Sequence, residues 1–166
     1  ALPIYSVEYS AMAQFNTKEE FMEGNLFDFI EEYAMNILNR SDRLKVQVVR
    51  SDTEGIEMKF VPQNIAIILD NVVSNSTKYN ANELRVLLGK DEKQYTIDFI
   101  DDGDGVSSDI ADLNELFEFG KGYTLTGTGV GLYHIKDIVE KDLQGTVTIE
   151  SEPQKGFALH VRFGKV

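Results

Sequence analysis

Residues 71–79 read Asn-Val-Val-Ser-Asn-Ser-Thr-Lys-Tyr, and this stretch carries the clearest pattern in the chain. Asn71, Asn75 and Lys78 stand at positions i, i+4 and i+7, which places them on one stripe of a helix. The apolar residues of the same segment form a separate face, roughly 125° away around the helix axis. The pattern predicts a helix over residues 62–79 with one buried side and one polar side.

The polar stripe has a chemistry of its own. Two carboxamides offer neutral oxygen ligands for a hard cation, and a lysine one turn further on suits a phosphate oxygen. A solvated helix surface would explain the same residues. This segment alone leaves both interpretations open.

A second pattern follows directly after a predicted strand, where residues 101–105 read Asp-Asp-Gly-Asp-Gly. Glycines permit tight turns and the close approach of a ligand, and an aspartate at a strand end can accept a hydrogen bond from an exocyclic amine. A surface turn and an acidic cluster remain alternatives. A calcium loop does not fit, because Val106 and Ser107 stand where that loop needs Asp or Asn and then glycine.

A third pattern, Gly-Thr-Gly-Val-Gly-Leu at residues 127–132, leads into a predicted helix over residues 129–141. Backbone amides and the positive end of a helix dipole at such a place can bind phosphate. The segment fits neither a P-loop, which needs a Gly-Lys-Ser/Thr triplet, nor the dinucleotide fingerprint, which needs a strand before it. Alone, it indicates only a helix start rich in glycine.

Taken in order, the three segments are far more specific than any one of them. With Leu116-Phe117-Glu118-Phe119 between the second and the third, they resemble the four ATP-binding boxes of histidine-kinase catalytic domains. These domains belong to the GHKL (HATPase) superfamily, together with DNA gyrase, the heat-shock chaperone ATPases and MutL. The resemblance spans roughly residues 26–163, and it implies the Bergerat ATP-binding fold with ATP and Mg²⁺ as cofactors.

The remaining sequence predicts an α+β fold in agreement with this resemblance. Because hairpins require antiparallel pairing, we expect a two-layer α/β sandwich in which one mixed, mostly antiparallel sheet is covered on one face by about three helices. Residues 1–25 are expected to be an N-terminal extension or the remnant of a preceding element, and residues 26–166 the ATP-binding catalytic domain. The expected helices cover residues 26–38, 62–79, 107–118 and 129–141, and the expected strands cover 44–50, 57–60, 83–89, 94–100, 146–150 and 157–163. The first helix is expected to follow an N-cap at Asn25. In the strand at 94–100, apolar and polar residues alternate.

The resemblance also implies a role for single residues. Asn75 would coordinate the magnesium ion that bridges the phosphates, Asn71 would position the reacting group, and Lys78 would contact phosphate; these three form the expected catalytic set. Tyr79 would lie against the nucleotide, and Asp101 would accept from the adenine amino group.

Further nucleotide contacts are implied around the glycine-rich segments. Gly103 and Gly105 would let the backbone pass the base, and residues 119–128 would form a mobile lid. The other expected contacts are Val106, Phe117, Lys121, Gly127, Thr128, Gly129, Val130, Gly131 and Leu132. Two features depart from the family. The last glycine box reads Gly156-Phe157 instead of Gly-Thr, which puts a hydroxyl contact near the adenine in question, and the phenylalanine box is one residue shorter than usual.

One position separates phosphoryl transfer from hydrolysis. Superfamily members that hydrolyse ATP carry a glutamate one turn before the magnesium-binding asparagine, whereas this chain has Asn71, which cannot take a proton at neutral pH. Asp70 is a neighbouring carboxylate, but one residue along a helix turns it about 100° away. The sequence therefore favours the ATP-binding catalytic domain of a sensor histidine kinase, which transfers the γ-phosphate to a histidine on a separate dimerisation domain. The alternatives are a hydrolytic GHKL-type ATPase that drives dimer closure, and an interaction module that kept the fold but binds no nucleotide.

The phosphorylated histidine is expected outside this chain. Neither His134 nor His160 lies in a dimerisation-helix motif, so both are interpreted as structural or surface residues. The isolated domain is accordingly expected to be a monomer that is inactive in autophosphorylation. Its expected partners are the dimerisation domain and, downstream, a response regulator.

Composition narrows the range of partners and locations. The net charge of -12 opposes binding to nucleic acid or to an anionic membrane, since both carry phosphate. No apolar run approaches the roughly 20 residues of a membrane span, no signal peptide is evident, and the absence of cysteine fits a reducing compartment. Because the chain starts with Ala1 rather than Met, we expect a cytoplasmic piece of a longer protein, with any membrane anchor outside it.

Overall fold

The computed structural model describes residues 20–40, 42–118 and 131–166. Within these ranges the chain forms seven strands and three α-helices, with 3₁₀ turns at Leu38–Arg40 and Leu113–Phe117. In chain order the elements are β1 Met22–Asn25, α1 Leu26–Asn36, β2 Lys45–Arg50, β3 Glu57–Phe60, α2 Pro62–Lys78, β4 Glu83–Lys90, β5 Tyr95–Asp101, α3 Gly131–Asp142, β6 Thr146–Ser151 and β7 Phe157–Phe163.

Five of the strands form one sheet in the order β2-β4-β5-β7-β6. The pair β2–β4 is parallel, and the other three pairs are antiparallel. Side chains alternate between the faces of a strand, so every second residue of the central strands is buried beneath the helices. These inward residues are Leu84, Val86, Leu88, Ile97, Phe99, Leu159, Val161 and Phe163. The mixed, mostly antiparallel sheet with helices on one face is confirmed.

The remaining two strands correct the expectation of a single sheet. Strand β3 pairs antiparallel with β1 rather than joining the larger sheet, so there are two sheets in the described part of the chain. The loop before β3 is held at the start of α1, because the Asn25 side chain donates to the Glu54 carbonyl at 2.8 Å and the Leu26 amide to the Ile56 carbonyl at 2.9 Å. Strand β1 lies within the segment predicted to be an extension, and it packs with the rest of the fold.

Two helix boundaries differ from the sequence prediction. Helix α1 ends at Asn36, slightly earlier than expected, and residues 107–118 contain only a 3₁₀ turn instead of a short α-helix. Asp112 caps that turn, because its side chain accepts from the Asn114 amide at 3.0 Å. The first two residues of the helix expected at 129–141, and the expected lid at 119–128, lie outside the described residues.

Helices α2 and α3 run antiparallel across the sheet. Near one end of the pair, the Asn64 side chain of α2 donates to the Asp142 carboxylate of α3 at 2.7 Å. Further along, the first residue of α3, Gly131, approaches Asn71 of α2. Helix α1 joins the same layer through the Tyr33 hydroxyl, which donates to Asp70 of α2 at 2.6 Å. This arrangement brings the start of α3 beside the polar stripe of α2.

The structure contains no membrane-spanning candidate among the helices it describes, since none of them is both long and apolar enough to cross a bilayer.

The predicted N-cap at Asn25 is confirmed, and its removal should destabilise the fold. The Asn25 side chain accepts from the Asp28 amide at 3.1 Å and also holds the Glu54 carbonyl. We expect Asn25→Ala to lower the free energy of unfolding by about 1–3 kcal/mol, because a helix cap and a loop contact are lost together. Urea denaturation followed by circular dichroism measures this change. Asn36→Ala, at the exposed far end of the same helix, is the matched control and should change stability by less than about 0.5 kcal/mol; equal effects at the two positions would contradict the assignment.

Candidate functional site

Asp101 is the buried carboxylate around which the site is built. It is the last residue of β5 and follows Ile97 and Phe99 on the inward face, so the alternation of the strand places it under the helices. Its side chain is only 7% exposed. Oδ2 accepts from the Ser76 hydroxyl at 2.7 Å, and Oδ1 accepts from the Gly103 amide at 2.9 Å. Both oxygens are therefore held by donors from the protein.

Burial raises the pKa of the Asp101 carboxyl above its ordinary value. The nearby charge of Asp102 acts in the same direction, while hydrogen bonds from Ser76 and from the backbone amides of Gly103 and Phe157 oppose the shift. A carboxylate removed from water but still supplied with donors is a strong acceptor for a further N–H group.

A cleft lies next to this carboxylate, between α2 and the sheet. It is open to solvent, and the space within it, counted together with the adjoining solvent, is about 230 Å³. Its lining is mostly apolar, with three polar side chains. The lining residues are Val72, Asn75, Ser76, Leu84, Phe99, Asp101, Leu132, Phe157 and Leu159. An apolar cleft with a few convergent polar groups is the usual form of a small-molecule site.

The polar stripe of α2 faces this region, as its spacing predicts. Asn75 lines the same cleft as Asp101, and Asn71, one turn earlier, is half-buried beside the start of α3. Lys78, at the end of α2, is exposed. The structure therefore brings the asparagines and the aspartate to one place, while the lysine lies at its solvent side.

The start of α3 completes the described part of the site. A Cβ atom at Gly131 would lie 3.4 Å from the Asn71 Oδ1 atom, and Leu132 forms part of the cleft wall. The N-terminal amides of a helix carry a partial positive charge and suit an anion. The expected contacts Lys121, Gly127, Thr128, Gly129 and Val130 lie outside the described residues.

The loop after β5 is fastened to the end of α2. The Asp104 amide donates to the Tyr79 carbonyl at 2.7 Å, and the Asn80 side chain donates to the Asp104 carboxylate at 2.6 Å. Asp102 accepts from the amides of Asn82 and Glu83 at 2.8 and 2.9 Å, and these bonds lower the pKa of its carboxyl. Asp102 and Asp104 thus stabilise the loop, whereas Asp101 lines the cleft.

The two glycines of this loop are required by contacts within the protein. A Cβ atom at Gly103 would lie 2.6 Å from the Tyr79 carbonyl oxygen. Gly105 has a φ of +73°, and a Cβ atom there would collide with the Glu152 carbonyl oxygen. The loop is therefore packed between α2 and the turn that joins β6 to β7. That the same glycines let the backbone pass a base stays a prediction.

Three other expected contacts occupy different positions. Tyr79 is half-buried at the end of α2, and burial raises the pKa of its phenol. The Val106 amide donates to the Ser151 hydroxyl at 3.1 Å, which ties the loop to the end of β6. Phe117 is buried in the hydrophobic core with the Lys136 ammonium 5.4 Å from its ring centroid, and it does not line the cleft.

Ser76 was not predicted from the sequence, although a signal was available. Ser76 follows Val72 by four residues and Leu69 by seven, so it continues the apolar face of α2 and is only 1% exposed. A hydroxyl on a buried face needs a hydrogen-bond partner, and Asp101 provides it. Phe157, where a hydroxyl contact was in question, instead contributes an apolar ring to the cleft wall.

The donor set fits a magnesium ion held mainly by a nucleotide. Residues 20–40, 42–118 and 131–166 contain no group of three or more His, Cys, Asp or Glu side chains arranged to hold a metal. Mg²⁺ commonly takes one or two protein oxygens together with phosphate oxygens and water rather than a cage made by protein alone. The carboxamide of Asn75 at the cleft supplies an oxygen of that kind.

Both histidines lie away from the cleft. On the outer face of the sheet, His160 has Nδ1 2.6 Å from Asp98 Oδ1 and Nε2 3.1 Å from Glu150 Oε2. His134 is half-buried on α3, and neither histidine contributes to the lining. That the phosphorylated histidine lies on another segment stays a prediction.

Comparison with known proteins identifies the family. Residues 60–165 match the model of the histidine kinase-, DNA gyrase B- and HSP90-like ATPase family. The chain belongs to this family. The matched region contains α2, β4, β5, β7 and the start of α3, which supply the lining of the cleft.

Two curated relatives are sensor proteins. The chain is 28% identical over 142 residues to the sensor protein kinase PilS of Pseudomonas aeruginosa, covering 81% of this chain and 26% of that protein. It is 27% identical over 158 residues to the heme sensor protein HssS of Staphylococcus saprophyticus, covering 89% of this chain and 34% of that protein. The chain thus spans about a quarter to a third of the length of these relatives.

Solved structures share the fold. The catalytic domain of histidine kinase ThkA superposes with a TM-score of 0.69 at 19% identity, covering 88% of this chain and 96% of that one. The ATP-binding domain of PrrB from Mycobacterium tuberculosis gives the same TM-score and identity, with coverage of 89% and 99%. The architecture is therefore the Bergerat ATP-binding fold that the sequence predicted.

Removal of the buried carboxylate should weaken ATP binding. We expect Asp101→Ala to reduce the affinity for ATP about ten- to a hundredfold, because a hydrogen bond to a charged acceptor is lost. Titration calorimetry in the presence of Mg²⁺ measures this. Asp102→Ala is the matched control, since its carboxylate bonds Asn82 and Glu83 instead of lining the cleft. Unchanged affinity in Asp101→Ala would mean that the base is held elsewhere.

The raised pKa of Asp101 predicts a pH dependence. The ionised Asp101 carboxyl only accepts hydrogen bonds. Protonation turns one of its oxygens into an O–H donor, so an acceptor for a ligand N–H group is lost. Because burial raises this pKa, ATP affinity should begin to fall at a higher pH than the roughly pH 4 at which an ordinary aspartate titrates. The ATP affinity of the wild type and of Asp101→Asn is measured from pH 8 downwards. The variant lacks the carboxyl, so its profile shows how far protonation of the ATP phosphates alone changes the affinity. Parallel profiles in the two proteins would refute the dependence.

Proposed function

We propose that this chain is the ATP-binding catalytic domain of a sensor histidine kinase. In the full-length protein it transfers the γ-phosphate of ATP to a histidine on a separate dimerisation domain. The observation that carries the proposal is the identity and surroundings of Asn71: a carboxamide, not a carboxylate, lies beside the start of α3, one turn before Asn75. The family match and the two sensor relatives support it.

Nucleotide binding follows from the cleft. The adenine enters among the apolar side chains and donates from its amino group to Asp101, while the phosphates extend towards Asn75, Lys78 and the start of α3. Asn75 of α2 would hold the magnesium ion, and the ion would supply neutralisation of the phosphate charge. Lys78 contacts a phosphate oxygen from the solvent side. The domain thus contributes position and charge stabilisation, which is most of what phosphoryl transfer requires.

The site has no general base for water at the position where a hydrolase needs one. The Asn71 carboxamide cannot take up a proton at neutral pH, so it positions the reacting group instead. Asp70 is directed towards α1, where its Oδ1 accepts from the Tyr33 hydroxyl at 2.6 Å. A nucleophile that brings its own reactivity, such as a histidine ring of the partner domain, fits this site better than water does. The hydrolytic alternative is therefore not favoured.

The proposed partners follow from the same role. A dimerisation domain carries the histidine, and a response regulator receives the phosphate from it. The net charge of -12 disfavours nucleic acid and anionic membrane as further partners. We assign the catalytic unit to residues 26–166, with the strand at Met22–Asn25 joined to it through β3. The isolated domain is proposed to be a monomer in the cytoplasm that does not phosphorylate itself.

The decisive experiment is phosphorylation of the full-length protein that contains this chain. Incubation with radiolabelled ATP and Mg²⁺ should label a histidine outside residues 1–166, in a phosphoramidate bond that acid cleaves and base leaves intact. Asn75→Ala should abolish the labelling, because the magnesium ligand is lost. Asp70→Asn, which keeps an acceptor for Tyr33, should retain it. Steady phosphate release that requires Asp70, with no labelled histidine, would instead establish a hydrolase.

A further inference from the structure

Ser76 occupies an unusual position among the residues around the cleft. Its side chain is 1% exposed, and it carries the only hydroxyl among the described residues that line the cleft. The hydroxyl donates to Asp101 Oδ2 at 2.7 Å, which joins α2 to the end of β5. A buried serine could serve stability alone. Its partner, however, is the carboxylate that faces the ligand space.

Two of the donors on Asp101 come from different elements and act on different oxygens. Ser76 of α2 holds Oδ2, and the Gly103 amide of the following loop holds Oδ1. Together they fix the plane of the carboxylate, which otherwise turns freely about its terminal bond. An ionised carboxylate has about four lone-pair directions, so Asp101 can still accept from a further donor. The acceptor that the cleft offers to a ligand is therefore fixed in place before the ligand arrives.

A fixed carboxylate in apolar surroundings discriminates strongly between donors and acceptors. A ligand N–H group satisfies it, whereas a ligand carbonyl would set two acceptors against each other where little water can intervene. Leu132 and Phe157 form apolar parts of the same cleft and offer no alternative donor from their side chains. Discrimination by a site built to bond one group is usually large, because the wrong ligand leaves a buried polar group unpaired.

We propose that Ser76 is a positioning residue for base selection. Its hydroxyl holds the Asp101 carboxylate so that the cleft accepts a purine nucleotide with an amino group at C6 and rejects one with an oxo group there. This inference rests on the proposed function, since it concerns the nucleotide of that same site. Without the hydroxyl, the carboxylate can rotate away from an oxo group, so the penalty against the wrong base decreases.

The test compares ATP with ITP, which carries an oxo group instead of the amino group at C6 and has a proton on the adjacent N1. Affinities for both nucleotides are measured by calorimetry with Mg²⁺ on the 166-residue chain. In Ser76→Ala the ratio of the two affinities should fall about tenfold relative to the wild type, which is the effect of one hydrogen bond to a charged group. Ser74→Ala, at an exposed serine of the same helix, is the matched control and should leave the ratio unchanged.

A second variant guards against a packing defect. Ser76→Cys keeps nearly the same volume but replaces the hydroxyl with a weak donor, so it should lower the ratio as well. If both variants bind the two nucleotides with the wild-type ratio, or weaken both equally, Ser76 is structural only and the inference is overturned. If the wild type itself fails to bind ATP, the proposed function fails instead, and the two failures are distinguished by that measurement.

Discussion

A buried hydrogen bond between α2 and β5 joins the two layers at the place where the cleft begins. Ser76 and Asp101 are both nearly inaccessible to solvent, and each would be costly to bury without the other. Asp101 is the last inward-facing residue of its strand. The Ser76–Asp101 pair therefore lies at the boundary between the apolar core and the cleft. The position of the cleft is thus a consequence of where the hydrophobic core stops.

Helix α2 serves the core and the site at once, and this explains its length and composition. One face carries residues such as Ile65 and Leu69 into the core, while the stripe of Asn71 and Asn75 faces the start of α3 and the cleft. The end of the helix is then fixed by the loop after β5, through the Tyr79 carbonyl. A displacement of α2 would therefore disturb both the packing of the core and the positions of Asn71 and Asn75. The packing of the core thus fixes the geometry of the cleft.

The sequence predicted the elements whose signals are local. The stripe of α2, the alternation of β5 and the cap at Asn25 depend on spacing within a few residues, and all three were found. The pairing of β3 with β1 was not predicted, because it is decided by the Asn25 side chain and the backbone around Ile56, which meet only after folding. The 3₁₀ turn at Leu113–Phe117 was predicted as an α-helix although its Asp112 cap is local, because a cap marks where a helical segment begins and not how far it extends.

The site was predictable in part for the same reason. Asp101 and Asn75 were recognised from motifs in the chain, whereas Ser76 was passed over because a serine among apolar residues has no distinctive spacing of its own. Its role emerges only from the partner across the layers. Phe117 illustrates the opposite case, since a motif suggested a nucleotide contact and the structure places the ring in the core.

Among the described residues, the helices lie on one side of the five-stranded sheet, and the opposite face can be labelled independently. Thr148 is exposed there, opposite His160 in the neighbouring strand and away from the inward end of β5. A cysteine introduced at this threonine could carry a fluorescent dye, and because the native chain has no cysteine, labelling would be confined to that one place. Such a reporter would follow the tumbling of the domain without obstructing the cleft.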